Sequence, residues 1–369
     1  MSLPTFSRRT LANRMAAFAA ASVVWASTEP LLADSAFPEA IPAGAVKINA
    51  NENPLGPCAE AAEAMHNVIR SGGRYHYEAS LELSRTLAVQ EGLKPEYVRA
   101  FAGSSDPLHR VVLAFTNASR NFVAADPGYE AGARAAHFSG AKTILVPLTG
   151  SWAHDVRAMA AADSSAGVIY VCNPNNPTGT LTSHDDIEWL VENKPAGAIV
   201  LLDEAYIHYS GGPSATDLVA ADKDIVVLRS FSKLYGMAGL RAGAAMGHPD
   251  LLAKLNPYAA GALPVTGMVG AMASLNSKTV VPERRKAMRL LREDVFAHLA
   301  KHDIGFIPSE SNCFMLDARR PAKEFVAAMA RENVFVGRVW PSMPTWSRIS
   351  VGTAEEMAKF KQAVVQVMA

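Results

Sequence analysis

Cysteine is scarce in this 369-residue chain: Cys58, Cys172 and Cys313 are an odd number at long spacings. No CxxC pair or Cys/His cluster exists, so neither a zinc site nor a disulfide framework is indicated and no metal is expected. An excess of one charge is also missing. Lys+Arg and Asp+Glu each number 35, a net charge of zero, which argues against nucleic acid as a partner. No apolar run reaches the roughly 18 residues that span a bilayer, so no stable membrane insertion is expected. Repeats and low-complexity tracts are absent too. What is present is globular: 49% hydrophobic and 19% charged residues, long enough for about two domains and a core that needs no covalent staples.

The first 35 residues read as a separate object. Ser7-Arg8-Arg9-Thr10-Leu11 is followed by a small, apolar, uncharged stretch at 15–26, and by small residues at Ala33, Ser35 and Ala36. A basic start before about 7–15 apolar residues is the pattern of a secretory signal. The motif resembles a twin-arginine (Tat) export signal, with Leu11 where Phe is usual and Asn13 and Arg14 at the edge of the apolar run. It implies export machinery as a partner and a periplasmic or other extracytoplasmic location. The alternative is an amphipathic N-terminal helix on a cytoplasmic protein.

The body alternates strands and helices. Apolar, β-branched runs at 121–125, 143–146, 168–172, 198–202 and 225–228 predict strands covered on both faces, and 184–192 predicts a helix between two of them. That alternation implies a parallel α/β sheet with right-handed crossovers. The last hundred residues differ. A long helix over 281–301 begins near Pro282, followed by strands near 313–316 and 348–351 and helices at 322–332 and 354–368, as in a smaller α+β domain.

Ligands in α/β sheets sit at the carboxyl ends of strands, so the residues just after each run carry the information. They are Gly103-Ser-Ser105-Asp106-Pro107, Asp126-Pro-Gly-Tyr129, Asn173-Pro-Asn-Asn176-Pro177-Thr-Gly179, Asp203-Glu-Ala-Tyr206, and Ser230-Phe-Ser232-Lys233 with Gly236 and Arg241. Each alone is a turn, a helix start or a solvated charge. Together they meet the needs of one cofactor, pyridoxal 5′-phosphate. Its carbonyl needs a lysine for a Schiff base (Lys233), and its pyridine nitrogen needs an acid (Asp203). Its phosphate needs a helix N-terminus with hydroxyls (Ser105), and its ring gains from an aromatic face (Tyr129). Asn176 supplies an amide and Tyr206 a phenol.

In this order, with the lysine thirty residues after the acid, the chain resembles fold-type-I pyridoxal-phosphate-dependent aminotransferases of class I/II, histidinol-phosphate aminotransferases in particular. The likeness runs from about Asn49 to about Thr353. It implies an aspartate-aminotransferase-like α/β fold: a large domain with a mostly parallel seven-stranded sheet, and a smaller α+β C-terminal domain. The division expected is an export segment at 1–35, an N-terminal arm joining the small domain at 36–65, a large cofactor-binding domain at 66–270 and a small domain at 271–369. By resemblance, Lys233 is the catalytic lysine and proton carrier, Asp203 pairs with the ring nitrogen, and Asn176 and Tyr206 bond the ring oxygen. Tyr129 stacks on the ring. Ser105, the Asp106 amide, Ser230, Ser232 and Arg241 hold the phosphate, and Tyr75 reaches it across a homodimer interface. Asn176-Pro177 is a candidate cis peptide. Arg348 clamps the substrate carboxylate, Arg338 implies a second anionic group on the substrate, and Asn51 belongs to the substrate arm Asn49–Pro57. Trp340 and Trp346 either widen an apolar pocket or pack the small domain.

The reaction implied is amino-group transfer between a small-molecule donor, an amino acid or amino phosphate, and a 2-oxo acid acceptor. A decarboxylase or amino-acid oxidase on the same scaffold is the alternative. A non-catalytic binder is disfavoured by the complete set of cofactor residues. Two features depart from the pattern. Pro107 stands where Glu is common and removes an N–H donor, and an export signal does not suit histidine synthesis.

Overall fold

The computed structural model describes residues 41–259 and 261–369. The export segment expected at 1–35 lies outside the described residues. From Gly44 to Ala369 the chain forms one compact unit. No helix among the described residues is long and apolar enough to cross a membrane.

In chain order the strands are β1 (Val46–Ile48), β2 (Val98–Phe101), β3 (Asn121–Asp126), β4 (Thr143–Pro147), β5 (Ala166–Cys172), β6 (Ile199–Asp203), β7 (Ile225–Ser230), β8 (Gly243–Gly247), β9 (Cys313–Asp317), β10 (Val334–Val336) and β11 (Trp346–Ser350). Seven of them make the central sheet, in the order β2-β8-β7-β6-β5-β3-β4. Every pairing from β7 to β4 is parallel, and β8 runs antiparallel to both of its neighbours. The mostly parallel seven-stranded sheet implied by the resemblance is therefore the one found. Every residue of β5, β6 and β7 is buried, because helices cover both faces. That burial is why these strands are continuous apolar runs in the sequence.

Two strands of the sheet escaped the sequence reading. β8 is Gly-Ala-Ala-Met-Gly, with no β-branched residue to mark it. Its small residues have a spatial cause. A Cβ at Gly243 would overlap the backbone of Gly103 and Ser104, so the strand must be bare where the turn after β2 crosses it. β2 is only four residues long. Outside the main sheet, β9 and β11 pair antiparallel, and β1 pairs parallel with β10, tying residues 46–48 to the C-terminal part. The helix Val280–Lys301 has Pro282 in its first turn, where proline costs no hydrogen bond. The final helix, Ala354–Met368, opens on a capping box between Thr353 and Glu356, which satisfies two backbone N–H groups reciprocally.

Behind β6 and β7 lies a buried ionic cluster. Arg229 Nη1 donates to Glu204 Oε2 at 2.7 Å and Nη2 donates to Glu91 Oε1 at 2.9 Å. Glu204 also accepts from Ser214 Oγ and the Ala215 amide. With Glu204 and Arg229 almost wholly enclosed, removing one partner strands a charge in a low-dielectric interior. Glu204→Ala is expected to destabilise the fold by about 3–5 kcal/mol, read as a lower denaturant midpoint. A change below about 1 kcal/mol would show that water reaches Arg229.

Candidate active site

The carboxyl ends of β2, β3, β5, β6 and β7 all open on the same edge of the sheet. At the β2 end the chain turns through Gly103 and Ser104 into the helix Ser105–Phe115, whose face of Leu108, Val111, Val112 and Phe115 is buried. The first amides of such a helix have no partners within it, so the turn presents N–H donors and a positive dipole end. The Asp106 carboxylate is held by Arg110 at 2.6 and 2.8 Å, leaving its backbone N–H as its contribution. Pro107 adds none. Arg241, in the left-handed region at φ 55°, donates to Ser232 Oγ at 3.4 Å, Ala238 O at 2.9 Å and Ala102 O at 3.3 Å. The Ser232 amide donates to Ser230 Oγ at 3.1 Å. Gly103 has φ +83°, and a Cβ there would overlap the Arg241 guanidinium. Ser230, Ser232 and Arg241 thus meet at the turn that leads into Ser105 and Asp106.

Next to this cradle lie the groups suited to a ring. Asp203 ends β6, fully buried; Tyr170 Oη donates to its Oδ2 at 3.0 Å and the Ala205 amide donates to Oδ1 at 3.1 Å. Burial pushes its carboxyl up to about 6 although both hydrogen bonds favour the anion. A cation beside it would reverse that rise. Tyr129 is half-buried, its phenol in hydrogen-bonding range of Ser105, and desolvation raises its pKa. Lys233 Nζ donates to Asn51 O at 3.1 Å and lies 5.5 Å from the centre of the Tyr206 ring. Burial, and after it the charge of Arg348, pushes the Lys233 amine down to about 8. Asn51 Nδ2 donates to Tyr206 Oη at 3.1 Å, so the phenol keeps its own proton for another acceptor. Burial holds Tyr206 firmly in that protonated form.

Beyond the lysine, Arg348 is 2% exposed. Its Nη1 donates to Asn176 Oδ1 at 2.8 Å and its Nη2 to Asn49 O at 2.9 Å. Its buried Nε has no partner. An orphaned donor on a buried cation is a costly arrangement unless an anion completes it. Arg338 Nη2 donates to both carboxylate oxygens of Glu130, each at 2.7 Å. Both guanidinium groups lie over Trp340, at 4.9 Å for Arg338 and 5.5 Å for Arg348. Trp340 itself packs with Ile307, Met315 and Met343, and against Trp152 and Trp346, so the tryptophans form a small core under the arginines.

The structure therefore gathers Asn51, Ser105, Tyr129, Asn176, Asp203, Tyr206, Ser230, Ser232, Lys233, Arg241, Arg338 and Arg348 around one edge. Tyr75 is different: it is 70% exposed and stacks on Tyr77 at 5.4 Å. The Asn176-Pro177 bond is cis, as are Asp126-Pro127 and Asn173-Pro174. Sequence reasoning missed Tyr170, Glu130 and Cys313, whose Sγ lies 3.1 Å from Asn51 Nδ2, and took Asn49 only as the start of the substrate arm. Tyr170 left one trace, a lone phenol inside an aliphatic strand. Glu130 and Cys313 left none.

These residues fit pyridoxal 5′-phosphate. The missing Cβ at Gly103 lets the Arg241 guanidinium sit against the turn, beside hydroxyls and helix amides that suit a phosphate. A buried carboxylate and a half-buried lysine of lowered pKa stand beside it. The comparisons agree. The family model for aminotransferase class I and II matches residues 43–364. A histidinol-phosphate aminotransferase 2 of Pseudomonas aeruginosa is 35% identical over 341 residues, covering 89% of this chain and 90% of that one. An aromatic amino acid aminotransferase of Cutibacterium acnes is 31% identical over 329 residues, covering 88% and 93%. The crystal structure of histidinol-phosphate aminotransferase from Sinorhizobium meliloti, in complex with pyridoxal-5′-phosphate, superposes with a TM-score of 0.82 at 23% identity, over 93% of this chain and 97% of that one. The chain belongs to the aminotransferase class I and II family. It is a pyridoxal-phosphate-dependent transaminase.

The lowered lysine gives a pH signature. In the cofactor-free enzyme Lys233 is a cation below about pH 8 and a free amine above it, because burial penalises the charged form. Peptide-resolved labelling with cyanate should reach half its maximal rate at Lys233 near pH 8. A midpoint at the ordinary lysine value of about 10.4 would contradict the burial argument.

Proposed function

We propose that the enzyme takes its amino group from a donor that carries an α-carboxylate, and that Arg348 receives this carboxylate. The observation that carries the reading is the unpartnered Nε of Arg348, buried beside Asn176. A planar carboxylate presents two oxygens to the guanidinium fork, a match that lysine lacks.

The same reading assigns the remaining roles. Ser105, the Asp106 amide, Ser230, Ser232 and Arg241 hold the cofactor phosphate, and Tyr129 covers one face of the ring. Asp203 keeps a proton on the ring nitrogen, since its anion is the partner that site favours. Asn176 and Tyr206 bond the ring oxygen. When bound, pyridoxal 5′-phosphate supplies an electron sink for the donor's α-carbon. Lys233 would take up the proton from the donor's α-carbon and hand it on, carried on its one amine throughout. An amine near neutrality suits that transfer in both directions. Enclosure of Asp203 and Arg348 excludes water from them and strengthens their interactions.

Two further parts of the reading are assembly and location. The enzyme works as a homodimer in which Tyr75 reaches the phosphate of the partner copy. The exposure of Tyr75, and of Leu55, Ile69 and Tyr77 nearby in the chain, supports this. The enzyme is exported through the twin-arginine route, supported by Arg8-Arg9 and the apolar stretch after them. A folded, cofactor-loaded passenger fits that route, since the cofactor is acquired inside the cell.

Arg348→Lys should raise KM for amino-acid donors at least tenfold, the loss of about 1.4 kcal/mol of carboxylate binding. The visible band of the bound cofactor should persist. An unchanged KM for every carboxylate donor would move the clamp to another residue, and release of carbon dioxide without amino transfer would overturn the reaction type. For location, cells expressing the full chain should yield a shortened extracytoplasmic species, lost when Arg8 and Arg9 both become Lys. Full-length, cytoplasmic protein in both cases would reject export.

A further inference from the structure

Arg338 is the second cation of the substrate end, and the structure gives it a partner. Glu130 directly follows the ring-facing Tyr129 and places both carboxylate oxygens 2.7 Å from Arg338 Nη2. The pair is partly sheltered: the Arg338 side chain is 16% exposed and that of Glu130 37%. Arg338 lies over Trp340, the same indole that carries Arg348. Arg134 is one helical turn on from Glu130, its amide bonded to Glu130 O. Burial first, and the charge of Arg338 after it, bring Arg134 down to about 10, so the two guanidinium groups are neighbours. Without Glu130, the Arg338 guanidinium would face this corner with no carboxylate on its Nη2, and a guanidinium fork suits a phosphate or carboxylate.

We infer that Glu130 sets the side-chain class of the donor: by occupying Arg338 it bars a distal phosphate or carboxylate and reserves the corner for uncharged, apolar side chains. The inference rests on the reading above, in which Arg348 holds the α-carboxylate. A distal anion must either displace a carboxylate that already saturates Nη2 or lie beside it, like charge against like. Both cost free energy in a sheltered site. A neutral ring meets a paired guanidinium over an indole and leaves no charge unmatched. An ion pair of purely structural purpose would have no effect on the choice between donors, and that is where the two accounts part.

The test uses the holoenzyme and two probes, L-phenylalanine and L-glutamate, which share the α-carboxylate and differ in the distal anion, followed by loss of the bound cofactor's visible band. The wild-type enzyme should have the higher kcat/KM for phenylalanine. In Glu130→Gln the ratio of kcat/KM for glutamate over phenylalanine should rise at least tenfold, seen mainly as a lower KM for glutamate. A wild-type preference for glutamate, or a ratio unmoved by Glu130→Gln, overturns the inference alone. Failure of both donors to react with the wild-type enzyme overturns the Arg348 reading and the inference with it. If Glu130→Gln does not retain cofactor, the wild-type preference decides the matter.

Discussion

One residue of the N-terminal segment, Asn51, joins the parts of the site. Its backbone is left-handed at φ 52°. Its carbonyl accepts from Lys233 Nζ at 3.1 Å and from Asn312 Nδ2 at 3.1 Å. Its side chain donates to Tyr206 Oη and accepts from Ser350 Oγ, and its amide donates to the same hydroxyl. The lysine, the phenol, the strand that carries Arg348 and the loop before β9 are thus referred to a single peptide unit. Because Tyr206, Asn312 and Ser350 are buried, losing one of these bonds leaves an unsatisfied group. The geometry around the lysine is therefore set by the entry of the chain, far from Lys233 in sequence.

A second constraint is electrostatic. Lys233, Arg348 and Arg338 bring positive charge to the substrate side, with Asp203 and Glu130 among the groups that face it. Burial and the charge of Arg348 bring Lys233 down to about 8, and the Nε of Arg348 has no partner. Asp203 is held at about 6 by burial, which a pyridinium partner would relieve. The site is thus built around charges that ligands complete, a common feature of catalytic pockets.

The sheet was legible where strands are buried on both faces, because β5, β6 and β7 have no polar face to interrupt the apolar run. β8 was not, because contact with Gly103 demands small residues that carry no strand signal. Of the site, the turn-forming motifs at strand ends were legible through their residue order and through resemblance to a known family. Tyr170 and Cys313 point inward from strands that read as core. Glu130 resembles any acid just before a helix, here Ala131–Phe138, and its pairing spans 208 residues of sequence. Asn49 acts through its carbonyl, which no side-chain pattern encodes. Pairings of that kind are decided by how β1 and β10 meet, a tertiary fact.

Trp340 carries both substrate-end arginines on one ring, and its indole N–H is anchored to Gly128 O at 2.9 Å. On the proposed reading, the two ends of a donor are read through a shared support. Any side chain that tilts Arg338 also presses on the surface beneath Arg348, and the reverse holds by reciprocity. Carboxylate affinity becomes a function of the side chain attached to it, so specificity at one end and orientation at the other form a single thermodynamic cycle.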